Sequence, residues 1–268
     1  MKENIYPNYR SPRIYILFAI LFLAQLYSCK KDPPDLDPPD RTLKVWLHHV
    51  DDTIKAKHFR DNYSGYELDV HFNSDVHTFI VKHDYNDTVT LTLSAWLNAI
   101  TNPERLGYWL DFKNLAPWNE EEALTELLRI RQLHGLTHNL IIVESTTPFS
   151  LPRFDTLNFR PSYYIPYFDP SGITPEEEEQ YYDFIEGSVS SYNLTTISGY
   201  SFQESFMQEW FPDMNKLLWF LDSIDPELKD SIIEQTRKNP TVEVLLVAED
   251  FPSSSLVRIP GNRMVYLH

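Results

Sequence analysis

Glu67 and Asp69 stand two residues apart in the run Tyr66-Glu67-Leu68-Asp69-Val70. In a strand that spacing puts both carboxylates on one face, with Leu68 and Val70 on the other. The run Trp109-Leu110-Asp111-Phe112-Lys113 repeats the pattern, with an acid and a base sharing a face among aromatics. Two more apolar runs end in imidazoles: Trp46-Leu47-His48-His49 and Val81-Lys82-His83-Asp84. Each of these alone has an ordinary structural explanation, as a solvated strand face or a histidine beside a turn. Together they place three carboxylates and two imidazoles at four successive strand ends. That set is what a hard divalent cation and a general acid–base pair need.

The elements that must position them follow from the hydrophobic rhythm. Apolar or β-branched runs occur at Leu43–Leu47, Tyr66–Phe72, Thr78–Lys82, Tyr108–Phe112, Leu140–Val143, Ser162–Tyr167, Thr195–Ser198, Lys216–Leu221 and Val242–Ala248. Helices between them have readable starts. Asn119 precedes Glu120–Glu122, with Glu122 at the capping-box position. Thr174-Pro175-Glu176 and Asp225-Pro226-Glu227 each put a polar cap before a proline at the first helical position and an acid after it. The acidic run 176–179 reads as the solvated first turns of its helix. Strand–helix alternation predicts an α/β fold with a mainly parallel sheet, open or closed into a barrel. Nine strands are one more than an eight-stranded barrel needs. The step from Phe72 to Thr78 is too short for a crossover helix, so the barrel should start irregularly there. In a parallel barrel the C-terminal strand ends meet at one mouth, where polar residues from different strands converge. The chain holds only seven glycines and no Gly-rich phosphate loop, which counts against a dinucleotide fold and a P-loop.

His48, then Glu67-Leu68-Asp69, then His83-Asp84, then Asp111-x-Lys113 resemble, in order and spacing, the glycerophosphodiester phosphodiesterase family of phosphatidylinositol-phospholipase-C-like barrels. Thr92–Leu97 (TLSAWL) and Leu110–Asn114 (LDFKN) are similar to its menorin-type branch. The resemblance covers about 45–115 and is faint beyond. It implies a TIM-type (β/α)8 barrel, its site at the C-terminal strand ends, and hydrolysis of a glycerophosphodiester-like or lipid-derived phosphodiester. By matched position it makes Glu67, Asp69 and Asp111 ligands of Ca²⁺ or Mg²⁺. His48 and His83 become the general base and acid, in either order, and Lys113 a point charge on the phosphate oxygens. Three departures bear on substrate: His49 stands where the family usually has a phosphate-gripping Arg, Asp51-Asp52-Thr53 replaces a Glu-Asn-Thr element, and Asp111 is one methylene shorter than the usual Glu.

Other residues have looser expectations. Glu144, ending LIIVES, is either a fourth carboxylate at the mouth or a helix cap. Tyr163, Tyr164, Tyr167 and Trp219 are candidates to line a pocket for an apolar or sugar moiety. His58, His71, His77, His134 and His138 have no constellation around them and read as surface or core.

The 268 residues carry 39 acidic and 23 basic side chains, a net charge of −16. A surface so negative repels phosphate backbones and disfavours nucleic-acid binding. Cys29 is the only cysteine, which excludes internal disulfides and thiolate zinc sites. Lys2, Arg10 and Arg13 precede an apolar run from Ile14 to Tyr27, shorter than the roughly twenty residues of a membrane span but suited to a signal-peptide core. Leu26-Tyr27-Ser28-Cys29 resembles the lipobox of bacterial lipoproteins; the other reading is a buried cysteine closing an uncleaved anchor helix. The expected plan is a signal peptide over 1–28, a lipidated Cys29 with a stiff Pro/Asp-rich tether over 29–41, and a barrel domain over 42–268. The expected place is the cell envelope, membrane-anchored and facing the periplasm or exterior, with the chain monomeric. The opposing functional class is a non-catalytic lipoprotein barrel that binds a phosphate- or sugar-bearing ligand and keeps the metal site. A glycoside hydrolase ranks last, because its carboxylates must flank the scissile bond rather than project side by side from one strand.

Overall fold

The computed structural model describes residues 43–86, 88–136, 140–220, 226–249 and 251. The expected signal segment, Cys29 and the tether lie outside them, as does His138. Every one of the nine expected runs is a strand: β1 (Lys44–Leu47), β2 (Gly65–Asn73), β3 (Thr78–Val81), β4 (Gly107–Phe112), β5 (Ile141–Ser145), β6 (Arg160–Tyr164), β7 (Thr196–Tyr200), β8 (Asn215–Trp219) and β9 (Val242–Val247). The α-helices among them are α1 (Thr53–His58), α2 (Leu93–Asn98), α3 (Glu120–Leu133), α4 (Pro152–Asp155), α5 (Pro175–Tyr192), α6 (Glu204–Trp210) and α7 (Pro226–Thr236). No helix among the described residues is long and apolar enough to cross a membrane.

Eight strands pair in parallel in the order β1-β9-β8-β7-β6-β5-β4-β2. A parallel pairing of Leu47 with Tyr66 joins β1 to β2 and closes the ring. The result is a TIM-type barrel. The irregularity falls where the short Phe72–Thr78 step requires it: β3 turns back antiparallel on β2, outside the ring.

Residue parity divides the apolar side chains into two cores. Leu68, Leu110, Val143, Ile197, Leu218 and Leu245 face the helices. Trp46, Trp109, Ile142, Leu217, Trp219, Val244 and Leu246 fill the barrel interior. Tyr163 belongs to the outer core, 2% exposed, so the pocket role expected of it is corrected: its neighbour Tyr164 has the inward parity. Trp46 lies in the barrel against Gly65 and Gly107, where a Cβ on either glycine would run into its indole ring. Gly107→Ala is therefore expected to destabilise the fold by about 1–3 kcal/mol through overpacking against a rigid ring, measurable as a lowered midpoint in urea with unchanged slope.

The caps are realised unevenly. Thr174 and Glu177 form a full capping box at α5, with Thr174 Oγ1 accepting from the Glu177 N–H at 3.3 Å and Glu177 Oε2 accepting from the Thr174 N–H at 2.8 Å. Asn119 does not cap α3. Its Oδ1 accepts from the Ala116 N–H at 2.9 Å and its Nδ2 donates to the Asn114 carbonyl at 2.8 Å, so it fastens the β4–α3 loop instead. Glu122 accordingly does not reach back to the cap; it meets His77 Nδ1 at 3.1 Å.

Candidate active site

Parallel register sets three carboxylates side by side. Asp69 of β2 pairs with Asp111 of β4, and Asp111 with Glu144 of β5. One turn of parity deeper, Glu67 pairs with Trp109. Glu67, Asp69 and Asp111 can each offer an oxygen such that all lie within 4.8 Å of one another. Glu67, Asp69 and Glu144 are 2%, 1% and 2% exposed. Lys113 Nζ donates to Asp69 Oδ1 at 2.6 Å and to Asp111 Oδ2. Asp69 Oδ2 and Glu144 Oε2 are buried with no hydrogen-bond partner.

Charge so crowded is costly without a counter-ion. Burial, then the like charges of Asp69, Asp51 and Asp111, push the Glu67 carboxyl well above the usual range. Burial and the carboxylate of Asp111 do the same to Glu144, with the Ser198 hydroxyl and the Trp109 indole beside it. Burial also raises Asp111. Burial works to lower the Lys113 ammonium, but Asp111 and Asp69 overrule it and hold its pKa above the ordinary value. Three crowded carboxylates whose oxygens converge, with Asp69 Oδ2 buried and unpartnered among them, are the donor set of a hard divalent cation, so the residues present fit Ca²⁺ or Mg²⁺.

The imidazoles arrive by different routes. His48 directly follows β1, anchored by its N–H to the Val247 carbonyl at 3.0 Å. His49 has a left-handed backbone, φ +53°. That turn is held by its own N–H donating to Glu67 Oε2 at 2.7 Å, and by Lys55 Nζ donating to the carbonyls of His48 at 2.8 Å and His49 at 2.9 Å. Trp96, in the TLSAWL segment, donates from its indole to the Val50 carbonyl at 3.0 Å and pins the same loop from behind. Burial lowers the pKa of both His48 and His49, His48 strongly, with neighbouring His49, Lys55 and Lys113 adding to it.

His83 reaches the mouth through the irregularity at the Phe72–Thr78 step. It is not carried by an upward barrel strand. β2 runs on past its pairing with β4, β3 returns antiparallel from Thr78, and the Lys82 N–H closes on the Asp69 carbonyl at 2.9 Å. The descending strand thereby lowers His83 back to the rim. His71, read from sequence as a surface or core residue, is buried and has its Nε2 3.1 Å from the His83 carbonyl. Asn114 extends the ladder where β4 has ended: its side chain accepts from the Phe72 N–H at 2.8 Å and donates to the Phe72 carbonyl at 2.9 Å. The His83 ring lies 5.7 Å from that of His49, which lies 4.1 Å from that of His48.

These groups surround a cavity of about 220 Å³ that all nine expected site residues line: His48, His49, Glu67, Asp69, His83, Asp111, Lys113, Glu144 and Trp219. Glu144 points into it from within β5, which settles its two readings in favour of the mouth. Tyr164 also lines it, while Tyr167 sits at its margin, 61% exposed and 5.2 Å from the Tyr200 ring. Sequence reasoning missed Trp109, Tyr200 and Leu246. Trp109 was legible, since it lies two residues before Asp111 on the same strand face; Tyr200 lay beyond the expected end of its strand at Ser198. Asp51 was missed too. Its Oδ1 accepts the Asp69 N–H at 2.9 Å, and burial and the Asp69 charge raise its carboxyl well above the usual range.

No family model matches the chain, and no curated protein matches it in sequence. Solved structures do. A glycerophosphodiester phosphodiesterase from Parabacteroides distasonis superposes with a TM-score of 0.54 at 15% identity, covering 77% of this chain and 92% of that one. An Oleispira antarctica phosphodiesterase, solved with its product sn-glycerol-3-phosphate, gives 0.52 at 14% identity over 77% and 93%. At such identities the likeness speaks for architecture: this chain is a TIM-type barrel built as the glycerophosphodiester phosphodiesterases are.

Proposed function

We propose that the chain is a metal-dependent phosphoric diester hydrolase acting on a glycerophosphodiester-like or lipid-derived diester. The observation that carries the reading is one mouth holding three converging carboxylates, Glu67, Asp69 and Asp111, beside His48, His83 and Lys113. A bound Ca²⁺ or Mg²⁺ would supply positive charge to a phosphate oxygen and to the charge developing on it. Lys113 adds a second cation, a distinct need in a protein of net charge −16. His48, buried and held unprotonated, takes the proton from the attacking oxygen. His83, 53% exposed in its side chain at the rim, returns a proton to the departing alkoxide. Trp219, Tyr164 and Tyr200, with rings 4.7–5.1 Å apart around Trp219, form a wall for the alcohol portion of the diester. The product bound by the Oleispira phosphodiesterase supports a small phosphate ester as the ligand class. Cys29 as a lipidated N terminus would keep the barrel in the cell envelope, at a membrane surface.

One feature favours the binding-only reading: His49 stands at the mouth where the resembled family has its phosphate-gripping Arg. Hydrolysis of bis(p-nitrophenyl) phosphate and of a glycerophosphodiester panel by the full chain, with Ca²⁺, Mg²⁺ or EDTA, decides between them. Turnover that requires the metal is expected; cation binding without turnover of any diester would assign the chain to ligand binding.

A further inference from the structure

The carboxylate cluster is not the only set of donors at the mouth that converges on one point. Among the described residues, His48, His49 and Glu67 also each offer one ligand atom within 4.8 Å of the others. This set is chemically unlike the first. Glu67, Asp69 and Asp111 offer oxygens alone, which suit hard ions; here two imidazoles accompany one carboxylate, which suits zinc and its neighbours. His48 Nε2 already lies 3.7 Å from Glu67 Oε2. Ligand atoms on a tetrahedral zinc are separated by roughly 3.4 Å for bonds of about 2.0–2.1 Å. The three ligand atoms start from separations of no more than 4.8 Å, so small side-chain rotations bring them to that spacing, and His49 is on the exposed side of the mouth, where its side chain is free to turn. His83, with its ring 5.7 Å from that of His49, stands near the open side as a further nitrogen.

The backbone bears on the same point. A histidine at φ +53° is uncommon, and such conformations persist only where the surroundings enforce them. Here three hydrogen bonds do so, one from the His49 N–H to Glu67 and two from Lys55 to the adjacent carbonyls. They fix the segment that presents both imidazoles to the carboxylate of Glu67.

We propose that His48, His49 and Glu67 form a second cation site, for a zinc-class ion, which shares Glu67 with the carboxylate site. Paired ions bridged by one carboxylate typically stand about 3.5–4 Å apart, a separation that a shared Glu67 permits. Binding there occupies the lone pair of His48. On the phosphodiesterase reading, which this consequence alone rests on, zinc therefore inhibits the Mg²⁺-loaded protein.

The test uses the full chain with saturating Mg²⁺. Co²⁺, as a coloured stand-in for zinc, is expected to bind with the visible absorption of a nitrogen-ligated ion. His49→Asn, which removes the imidazole but tolerates the left-handed backbone, is expected to abolish that band. It should also weaken Zn²⁺ about tenfold or more in competition with a chromophoric chelator. Cooperative thermal unfolding verifies that the variant is folded. Asp111→Asn, which alters only the oxygen set, should keep the band. An unchanged spectrum and zinc affinity in folded His49→Asn would overturn the proposal, as would a band that follows Asp111 and not His49. Failure of diester hydrolysis with His49-dependent zinc binding intact removes the enzymatic reading and leaves this site standing; the converse result removes the site alone.

Discussion

Asp69→Asn is expected to reduce metal-dependent diester turnover on the order of 10²–10³-fold while the barrel stays folded. Asp69 sits between the other partners: paired in register with Asp111, bonded to Lys113, lining the cavity and left with a buried, unpartnered Oδ2. Asparagine keeps the volume and removes the charge that a hard cation requires. The same crowding gives a stability test that does not depend on substrate. The Glu67 carboxyl titrates well above its ordinary 4.5 in the folded chain. Between those values the folded state holds a proton that the unfolded state has released, so folding is favoured at low pH and loses this contribution as pH rises through the folded pKa. Asp51, Asp111 and Glu144 act in the same direction. His48, His49, His71 and His134, whose imidazole pKa values burial lowers, act in the opposite direction over the same range, so the carboxylate contribution is read as the difference between the wild type and Glu67→Gln. Glu67→Gln should raise the metal-free melting temperature at pH 7.5 by more than at pH 5, while abolishing turnover, and millimolar Mg²⁺ or Ca²⁺ should stabilise the wild type and not the variant. A wild type that does not respond to cation, with no pH-dependent difference from Glu67→Gln, would refute the assignment of this cluster.

His48→Ala and His83→Ala are each expected to cost about 10²–10⁴-fold on a glycerophosphodiester, but their effects should part on an activated substrate. p-Nitrophenolate leaves without a proton, so a chain lacking its general acid should retain most activity on bis(p-nitrophenyl) phosphate. A chain lacking its base should not, because the nucleophile still has to be deprotonated. The buried, unprotonated state of His48 assigns the second behaviour to His48→Ala and the first to His83→Ala. The lowered pKa of His48 also sets the acid limb of kcat/KM below the ordinary imidazole value of 6.5. Equal losses for the two variants on both substrates would overturn the division of roles.

Much of this site was legible because parity and register are rigid rules. Glu67, Asp69 and Asp111 share inward parity on β2 and β4, and a parallel pairing then brings them level. The nine strand runs were readable since barrel strands are buried on both faces and so stand out as apolar blocks. What escaped reading depends on geometry that spacing does not encode. His71 was readable as a surface or core residue but its contact was not, because its partner is a backbone carbonyl twelve residues on, reached only after the chain doubles back. Asn119 looked like a helix cap because its neighbours were acidic; a tight loop engaged both ends of its amide first. Tyr200 was lost behind Gly199, which reads as a strand break. A Cβ there would press on the ends of the Met207 and Gln203 side chains, so the small residue suits the close packing of α6 on β7.

The hairpin that carries His83 has a consequence for how this mouth can change over evolution. Because β1 closes directly on β2, the ring of eight strands does not depend on β3 for its continuity. Glu67, Asp69 and Asp111 belong to the ring, whereas His83 belongs to an appended module fastened by the Lys82 amide, His71 and, through β2, Asn114. On the proposed reading, substitutions in that module would erase one of the two proton-transfer groups without dismantling the scaffold or the carboxylate cluster, so the hairpin alone would separate a hydrolase from an ion-dependent receptor of this architecture.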